Sequence, residues 1–141
     1  MARRTKVLFL CYGNACRSQM AEAIARDAAA DVIEASSAGL VPFGEIPRTT
    51  VEVLRERGIS ADGQSSKGFR PEDLTAADLV INMTGRSGAS IFKGRLPRME
   101  DWDVGDPFGS DLAVYRGICD EIERRVAELA RRLREKVDSP K

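Results

Sequence analysis

The sequence predicts an α/β fold in which helices cover both faces of a parallel sheet. Short apolar runs of strand length alternate with helix-forming segments along the chain. Near the carboxyl end, apolar residues recur three and four positions apart between charged ones, which predicts a long helix packed on the sheet. This alternation implies right-handed crossovers, a doubly wound layer architecture, and ligand binding at the carboxyl ends of the strands.

The first half of the chain accounts for two strands and two helices. In order, the sequence predicts a strand at residues 7–10, a helix at 19–30, a strand at 32–36, a loop at 39–46 and a helix at 47–58. The first strand is an unbroken apolar run, as expected for a strand buried on both faces. Ser18 is a favourable N-cap for the first helix, Pro47 suits the first turn of the second, and Gly58 suits its C-terminal cap.

The second half continues the pattern with shorter elements. It predicts the start of a helix at residues 70–74, a buried strand at 79–81, a weak helix or loop at 84–92 and a last strand near 95–99. The apolar stripe of the final helix consists of Leu112, Tyr115, Cys119, Ile122, Val126, Leu129 and Leu133.

Composition restricts the function. The chain has 141 residues, enough for a single domain at 1–141, and its 22 basic side chains balance its 22 acidic ones. Zero formal net charge argues against nucleic acid as a partner. Histidine is absent from the sequence, which excludes Ser-His-Asp and Cys-His catalysis, so proton transfer must fall to carboxylates, thiols, Lys or Tyr.

Cysteine usage and the first residues indicate a cytoplasmic protein. Three cysteines without paired CxxC spacing predict neither a disulfide framework nor a structural metal site. The apolar run at 7–10 is too short for a signal peptide or a membrane span. We therefore expect a cytoplasmic protein without a membrane partner or a metal.

One loop between the first strand and the first helix carries the chemistry. This cysteine loop consists of Cys11, Tyr12, Gly13, Asn14, Ala15, Cys16, Arg17 and Ser18. A loop of small residues that runs into a helix N-terminus directs several backbone N–H groups at one point, where the helix dipole also favours negative charge. Gly13 and Asn14 tolerate left-handed backbone angles, and Arg17 offers a planar fork for two oxygens of an oxyanion.

Cys11 is the predicted nucleophile. The N–H groups and Arg17 favour its thiolate over the thiol, and Ser18 can donate a further hydrogen bond. The same groups would bind the equatorial oxygens of a phosphoryl group and place phosphorus in line with the sulfur. Attack at phosphorus would give a cysteinyl phosphate that water then hydrolyses, with no cofactor required.

The leaving group needs a proton, and without histidine the donor should be a carboxylate between the last strand and the final helix. The candidates are Asp101, Asp103, Asp106 and Asp111. Asp106 is preferred as general acid because Pro107 stiffens its loop, and a carboxyl shielded near bound phosphate would hold its proton more strongly. The alternative is that the Asp-Pro pair only forms a turn.

The two other cysteines have structural interpretations. Cys16 either packs in the interior or forms a reversible disulfide with Cys11 under oxidation. Cys119 lies on the apolar stripe, so we expect it in the core.

These residues together resemble the low-molecular-weight protein phosphatases, whose signature is Cys-x5-Arg-Ser near the amino terminus and a distant Asp-Pro before the final helix. The cysteine loop and a later Asp-Pro pair provide that signature here, and the resemblance covers nearly the whole chain. It implies a flavodoxin-like fold with a four-stranded parallel sheet. It also implies Cys11 as nucleophile, Arg17 as transition-state clamp, Asn14 and Ser18 as loop organisers, and Asp106 as general acid.

The family contains more than one activity. Residues 19–22, Gln-Met-Ala-Glu, look like arsenate reductases, but thioredoxin-coupled members use two further cysteines, and this chain has none between 17 and 118. A reductase drawing on an external thiol stays open. The Asp-Pro-Phe-Gly sequence at 106–109 looks closer to members that act on phosphoarginine or phosphotyrosine, and arginine-selective members carry Thr where this chain has Ala15.

Aromatic residues bear on the choice of substrate. Tyrosine selectivity in a cysteine phosphatase comes from a deep cleft with aromatic walls. Tyr12, Phe43 and Phe108 are candidates for such walls, with local packing or rim exposure as their alternative roles. The leading hypothesis is a monomeric phosphatase for protein phosphotyrosine, whose partner is a phosphoprotein or a small oxyanion such as phosphate or arsenate. Arsenate reduction with an external thiol and arginine phosphatase activity are the alternatives, and a non-catalytic oxyanion sensor or carrier is disfavoured.

Overall fold

The computed structural model describes residues 4–91 and 98–138. Within them the strands are β1 (Thr5–Cys11), β2 (Ile33–Gly39), β3 (Leu79–Asn82) and β4 (Met99–Asp101), and the helices are α1 (Arg17–Ala28), α2 (Arg48–Glu56), α3 (Pro71–Ala76), α4 (Gly88–Ile91) and α5 (Leu112–Asp138). The strands form one parallel sheet in the order β2-β1-β3-β4. Over the described ranges, this confirms the α/β prediction and the flavodoxin-like, four-stranded sheet that the resemblance implied.

Both faces of the sheet are buried, and this explains the continuous apolar run of β1. Successive residues of a strand point to opposite faces. Phe9 and Ile81 belong to the larger core, which α1, α2 and α5 cover. Leu8 belongs to a second core on the opposite face, where Phe69 packs together with Leu74, a residue of α3. Because β1 is central, all its residues from Val7 to Cys11 are buried, and its polar residues stand at its start.

The prediction of Ser18 as an N-cap is wrong. Helix α1 begins at Arg17, with Cys16 at the N-cap position and no side-chain capping hydrogen bond. Ser18 lies in the first turn, where its hydroxyl contacts Cys11 instead of a backbone N–H. The free N–H groups at this end of α1 are therefore not used by a cap, as an anion-binding loop requires.

Other boundaries shift by a few residues. Helix α1 ends at Ala28 instead of residue 30, and β2 continues to Gly39 because it pairs with β1 over its full length. Gly58 follows the C-cap of α2 with φ 75°, in line with the predicted helix end. The last strand is Met99–Asp101, and residues 92–97, which include most of the expected strand near 95–99, lie outside the described ranges.

Helix α5 packs by the predicted stripe. Six of its seven apolar residues are buried, and Leu112 at its start is half-buried. The helix lies against α1 and α2. No helix in the described ranges is long and apolar enough to cross a membrane.

The carboxyl ends of the central strands meet at one edge of the sheet. Cys11 is in register with Gly39 of β2, and Leu10 is in register with Asn82 of β3. The cysteine loop therefore leaves the sheet between two neighbouring strand ends, where a doubly wound fold binds its ligands.

Candidate active site

The cysteine loop turns tightly from β1 into α1. Asn14 has φ 49° and is, among the described residues, the one non-glycine residue with a positive φ, so the expected left-handed conformation is observed there. Gly13 does not share it and is small for another reason. A Cβ atom at Gly13 would come within 2.7 Å of the ring of Phe43. Gly13 therefore allows the ring of Phe43 to pack directly against the backbone of the loop.

A chain of hydrogen bonds ends at the sulfur of Cys11. Ser18 Oγ lies 2.9 Å from Cys11 Sγ, and Asn14 Nδ2 donates to the same oxygen at 2.7 Å. Since an amide nitrogen can only donate, Ser18 accepts from Asn14 and keeps its own hydrogen for the sulfur. The Ser18 hydroxyl is therefore placed to donate a hydrogen bond to the sulfur of Cys11.

Arg17 is oriented by backbone oxygens beyond β3 and β4. Its Nη1 donates to the carbonyl oxygen of Met83 at 2.5 Å and of Val104 at 3.2 Å. Its Nε is buried and finds no hydrogen-bond partner in the part of the chain that the structure describes. An unpaired buried N–H costs about 1–3 kcal/mol, so binding an anion at this donor would recover free energy.

Asp106 faces the second terminal nitrogen of Arg17. Asp106 Oδ2 lies 3.5 Å from Arg17 Nη2, and Asp106 Oδ1 accepts a hydrogen bond from the backbone N–H of Phe108 at 3.0 Å. The side chain of Asp106 is 47% exposed, so the shielding expected from the sequence is not found. The carboxyl group stands at the rim of the loop and can become shielded only when a substrate covers it.

The other aspartates near Asp106 have different contacts. Asp101 accepts a hydrogen bond from Asn82, and Asp111 accepts one from the backbone N–H of Val114 at the start of α5. Of the four candidates, Asp106 is the one that pairs with Arg17 within the described ranges. In those same ranges, no group of three or more Cys, Asp or Glu side chains is arranged to hold a metal ion.

Cys16 and Cys119 are buried free thiols. Cys16 Sγ lies 3.4 Å from the hydroxyl of Tyr115 on α5, and burial raises the pKa of both groups. Cys119 is fully buried on the α5 stripe, as predicted, and burial raises its pKa to about 11. Both thiols are therefore protonated at neutral pH. Cys16 is packed in the interior here, and its reversible disulfide with Cys11 under oxidation stays a prediction.

The three aromatic residues expected near the substrate do meet. Ring centroids are 6.3 Å apart for Tyr12 and Phe43 and 4.8 Å apart for Phe43 and Phe108, both in edge-to-face geometry. These rings, here called the aromatic cluster, are 42%, 40% and 52% exposed in the order of the sequence. Trp102 is not part of it; this ring is buried and packs on Phe9, 6.0 Å away.

Sequence reasoning missed the segment 60–69 as part of the site. The backbone N–H of Lys67 donates to Asn14 Oδ1 at 2.8 Å, and Ser66 Oγ donates to the carbonyl oxygen of Gly13 at 3.1 Å. Gln19 connects Asn14 to Ser65 through its side-chain amide. No periodicity or motif marks this segment. The one available signal was the polar amide of Gln19 at the start of an Ala-rich helix, which the structure shows to be buried.

Glu22 is a second residue that the sequence did not single out as part of the site. Its carboxylate is 2% exposed, accepts a hydrogen bond from Ser37 Oγ at 2.5 Å and pairs with Arg26 at 2.5 Å. The ammonium group of Lys67 lies 3.8 Å away. A buried carboxylate requires such partners, and this network ties α1 to β2 behind the cysteine loop.

The chain is similar to known proteins over nearly its whole length. The family model for the low molecular weight phosphotyrosine protein phosphatases matches residues 6–139. A glutaredoxin arsenate reductase from Synechocystis sp. is 33% identical over 126 residues, which cover 88% of this chain and 95% of that protein. A protein-arginine-phosphatase from Geobacillus stearothermophilus is 33% identical over an alignment of 143 positions, which covers 91% of this chain and 95% of that protein.

Solved structures show the same relationship. A low molecular weight protein tyrosine phosphatase from T. tengcongensis superposes with a TM-score of 0.80 at 36% identity, over 92% of this chain and 99% of that chain. An arginine phosphatase from Geobacillus stearothermophilus gives a TM-score of 0.80 at 28% identity, over 97% and 98%. Because the family model spans almost the entire sequence, this chain is an enzyme of the low molecular weight phosphotyrosine protein phosphatase family.

Proposed function

We propose that this chain hydrolyses phosphotyrosine in proteins through a phosphocysteine at Cys11. The observation that carries the choice of tyrosine is the aromatic cluster, whose rings contact one another and stay exposed beside the cysteine loop. Such rings bind a phenyl group by stacking and edge contacts. The short side chain of phosphoserine has no ring and cannot make these contacts.

In the first step, Cys11 Sγ attacks phosphorus while the bond between phosphorus and the phenolic oxygen breaks. The loop N–H groups and Arg17 Nε bind the equatorial oxygens, where charge accumulates in the transition state. Asp106 gives its proton to the leaving phenolate. Its position beside Arg17 places this carboxyl at the rim, where the leaving group would depart.

In the second step, water displaces the sulfur from phosphorus. The Asp106 carboxylate takes a proton from the attacking water, the sulfur–phosphorus bond breaks, and inorganic phosphate leaves. The hydrogen bond from Ser18 to Cys11 stabilises the departing thiolate. Both steps use the same residues in reversed roles.

Hydrolysis of p-nitrophenyl phosphate and of phosphotyrosine, phosphoarginine and phosphoserine peptides tests this proposal. Cys11→Ser should abolish turnover but retain phosphate binding, and Asp106→Asn should lower kcat by about 10²- to 10⁴-fold. Substantial turnover by Cys11→Ser would overturn the assignment of the nucleophile. Preference for phosphoarginine would instead identify an arginine phosphatase.

The aromatic cluster needs its own variant. Phe43→Ala should raise KM for the phosphotyrosine peptide by roughly tenfold, since an aromatic pair contributes about 0.5–1.5 kcal/mol beyond buried area. Val114→Ala, at another exposed apolar residue, is the matched control and should leave KM unchanged. Equal loss on phosphotyrosine and phosphoarginine peptides would show that the cluster does not select the aromatic ring.

Arsenate reduction with an external thiol is the second candidate. It is favoured by the names of similar proteins, among them the Synechocystis relative and an arsenate reductase from Bacillus cereus that is 31% identical over 132 residues. Arsenate-dependent thiol consumption should be measured with thioredoxin, glutaredoxin and low-molecular-weight thiols. Consumption without hydrolysis of any phosphopeptide would replace the phosphatase proposal.

A further inference from the structure

Gln19 is a fully buried polar side chain in the first turn of α1. Its Nε2 lies 3.0 Å from both the carbonyl oxygen and Oδ1 of Asn14, and 2.9 Å from the carbonyl oxygen of Ser65. Its Oε1 accepts a hydrogen bond from Gln64 Nε2 at 2.7 Å. Donor and acceptor are both engaged, so the orientation of this amide is fixed.

The contact with Asn14 falls on an unfavourable backbone conformation. A left-handed φ of 49° costs free energy for a residue with a Cβ atom, though less for asparagine than for most, so contacts with neighbours help to hold it. Gln19 holds Asn14 at two points, the backbone carbonyl and the side-chain oxygen. It thereby restrains both the turn of the loop and the direction of the Asn14 amide.

The Asn14 amide in turn controls the hydroxyl that faces the nucleophile. With Oδ1 bound to Gln19 and to the N–H of Lys67, Nδ2 is directed at Ser18 Oγ. Ser18 then presents its hydrogen to Cys11 Sγ. A continuous path of hydrogen bonds therefore runs from Gln19 to the sulfur.

We propose that Gln19 is a positioning residue that sets the reactivity of Cys11 through Asn14 and Ser18. The inference rests on the proposed function in taking Cys11 as the nucleophile. Gln19 touches neither the sulfur nor the loop mouth, so its effect is transmitted and not direct. A purely structural role, joining α1 to the segment 60–69, is the competing explanation.

The test is the pH dependence of Cys11 alkylation by iodoacetamide in Gln19→Met, with Cys11 and Cys16 distinguished by fragment-ion mass spectrometry. Loss of the donor should let Asn14 relax, weaken the Ser18 hydrogen bond and move the alkylation midpoint upward by about one pH unit. For p-nitrophenyl phosphate, kcat should fall about tenfold with a smaller change in KM. The inhibition constant for inorganic phosphate should rise, because the displaced loop binds the anion less tightly.

Gln64→Met is the matched control. It removes the hydrogen bonds from Gln64 to Gln19 but leaves the bonds between Gln19 and Asn14. This variant should lose thermal stability and move the alkylation midpoint much less than Gln19→Met does, because Gln19 Nε2 keeps its contacts with Asn14. A midpoint that shifts as far in Gln64→Met as in Gln19→Met would overturn the path through Asn14.

A double-mutant cycle tests the path itself. In an Asn14→Ala background, Gln19→Met should add no further shift, because the intermediate group is already gone. Additive shifts, or an unshifted midpoint in folded Gln19→Met, would reduce Gln19 to a structural residue. If Gln19→Met does not fold, Gln19→Asn replaces it. Its amide is one methylene shorter and cannot reach Asn14, so the same upward shift of the alkylation midpoint is expected. Alkylation needs no phosphorylated substrate, so this outcome is independent of whether the chain hydrolyses phosphotyrosine.

Discussion

At the scale of single residues, the cysteine loop depends on a close fit between Gly39 and Asn14. A Cβ atom at Gly39 would lie 2.6 Å from the backbone nitrogen of Asn14 and 2.9 Å from its Cβ. Neither neighbour can retreat, since Gly39 is paired to β1 and Asn14 is hydrogen-bonded to Gln19 and Ser18. The end of β2 thus limits how the cysteine loop can turn.

Gly39→Ala should therefore disturb the loop more than the fold. Overpacking costs about 1–3 kcal/mol, and we expect kcat/KM for p-nitrophenyl phosphate to fall by at least tenfold as the loop shifts. Ser36→Ala, at an exposed position on the same strand, is the control and should retain activity. Wild-type activity in Gly39→Ala would mean that the loop tolerates displacement from this contact.

At the scale of elements, α5 combines a buried apolar stripe with one glycine that lowers its helix propensity. The helix contains Gly117, which is exposed and has no atom within 4 Å of the position that a Cβ would take. Glycine inside a helix is less favourable than alanine because its unfolded backbone has more freedom to lose. The long buried stripe offsets this local weakness.

Gly117→Ala should stabilise the protein by about 0.5–1 kcal/mol. Urea denaturation would show a higher midpoint with an unchanged slope, and activity should not change because a methyl group at the exposed residue 117 meets no other atom. A lower midpoint would indicate that the glycine serves a contact that the backbone does not reveal.

At the scale of the whole molecule, three ionisable groups are buried between the cysteine loop, α2 and α5. Burial raises the pKa of Cys16, Tyr115 and Cys119. In the unfolded chain these groups ionise near their ordinary values, 9.0 for the thiols and 10.0 for the phenol, so the unfolded state loses protons first. The contribution of these three groups to the free energy of unfolding is therefore fully present below about pH 9 and is lost as the pH rises.

Alkaline denaturation should report this burial. For Cys119 the decline spans the interval from its ordinary pKa of 9.0 to about 11. Cys119→Val, which removes the ionisable group at similar volume, should show a shallower fall in the free energy of unfolding over that interval. Parallel curves for the two proteins would show that Cys119 ionises as easily in the folded state as in the unfolded one.

Local sequence patterns were sufficient for the parts of the molecule that depend on burial. The apolar run of β1, the α5 stripe and the order of strands and helices follow from which side chains must leave water. The cysteine loop is equally local, because its residues are consecutive and its position between a strand and a helix predicts an anion-binding turn. Short elements were less predictable, as β4 shows, since their ends are decided by pairing with a neighbouring strand.

The sequence by itself determined the fold class, and it predicted the cysteine loop and Asp106 as the candidate site. Only the tertiary structure decided that Ser18 faces Cys11, that Asp106 is exposed beside Arg17, and that Gln19 joins the loop to the segment 60–69. It also brought Tyr12, Phe43 and Phe108 together. The physical reason is that periodicity reports how deeply a side chain is buried, whereas hydrogen bonds and ring contacts between residues distant in the chain require atoms to meet within a few ångströms, which only the packing of whole elements can fix.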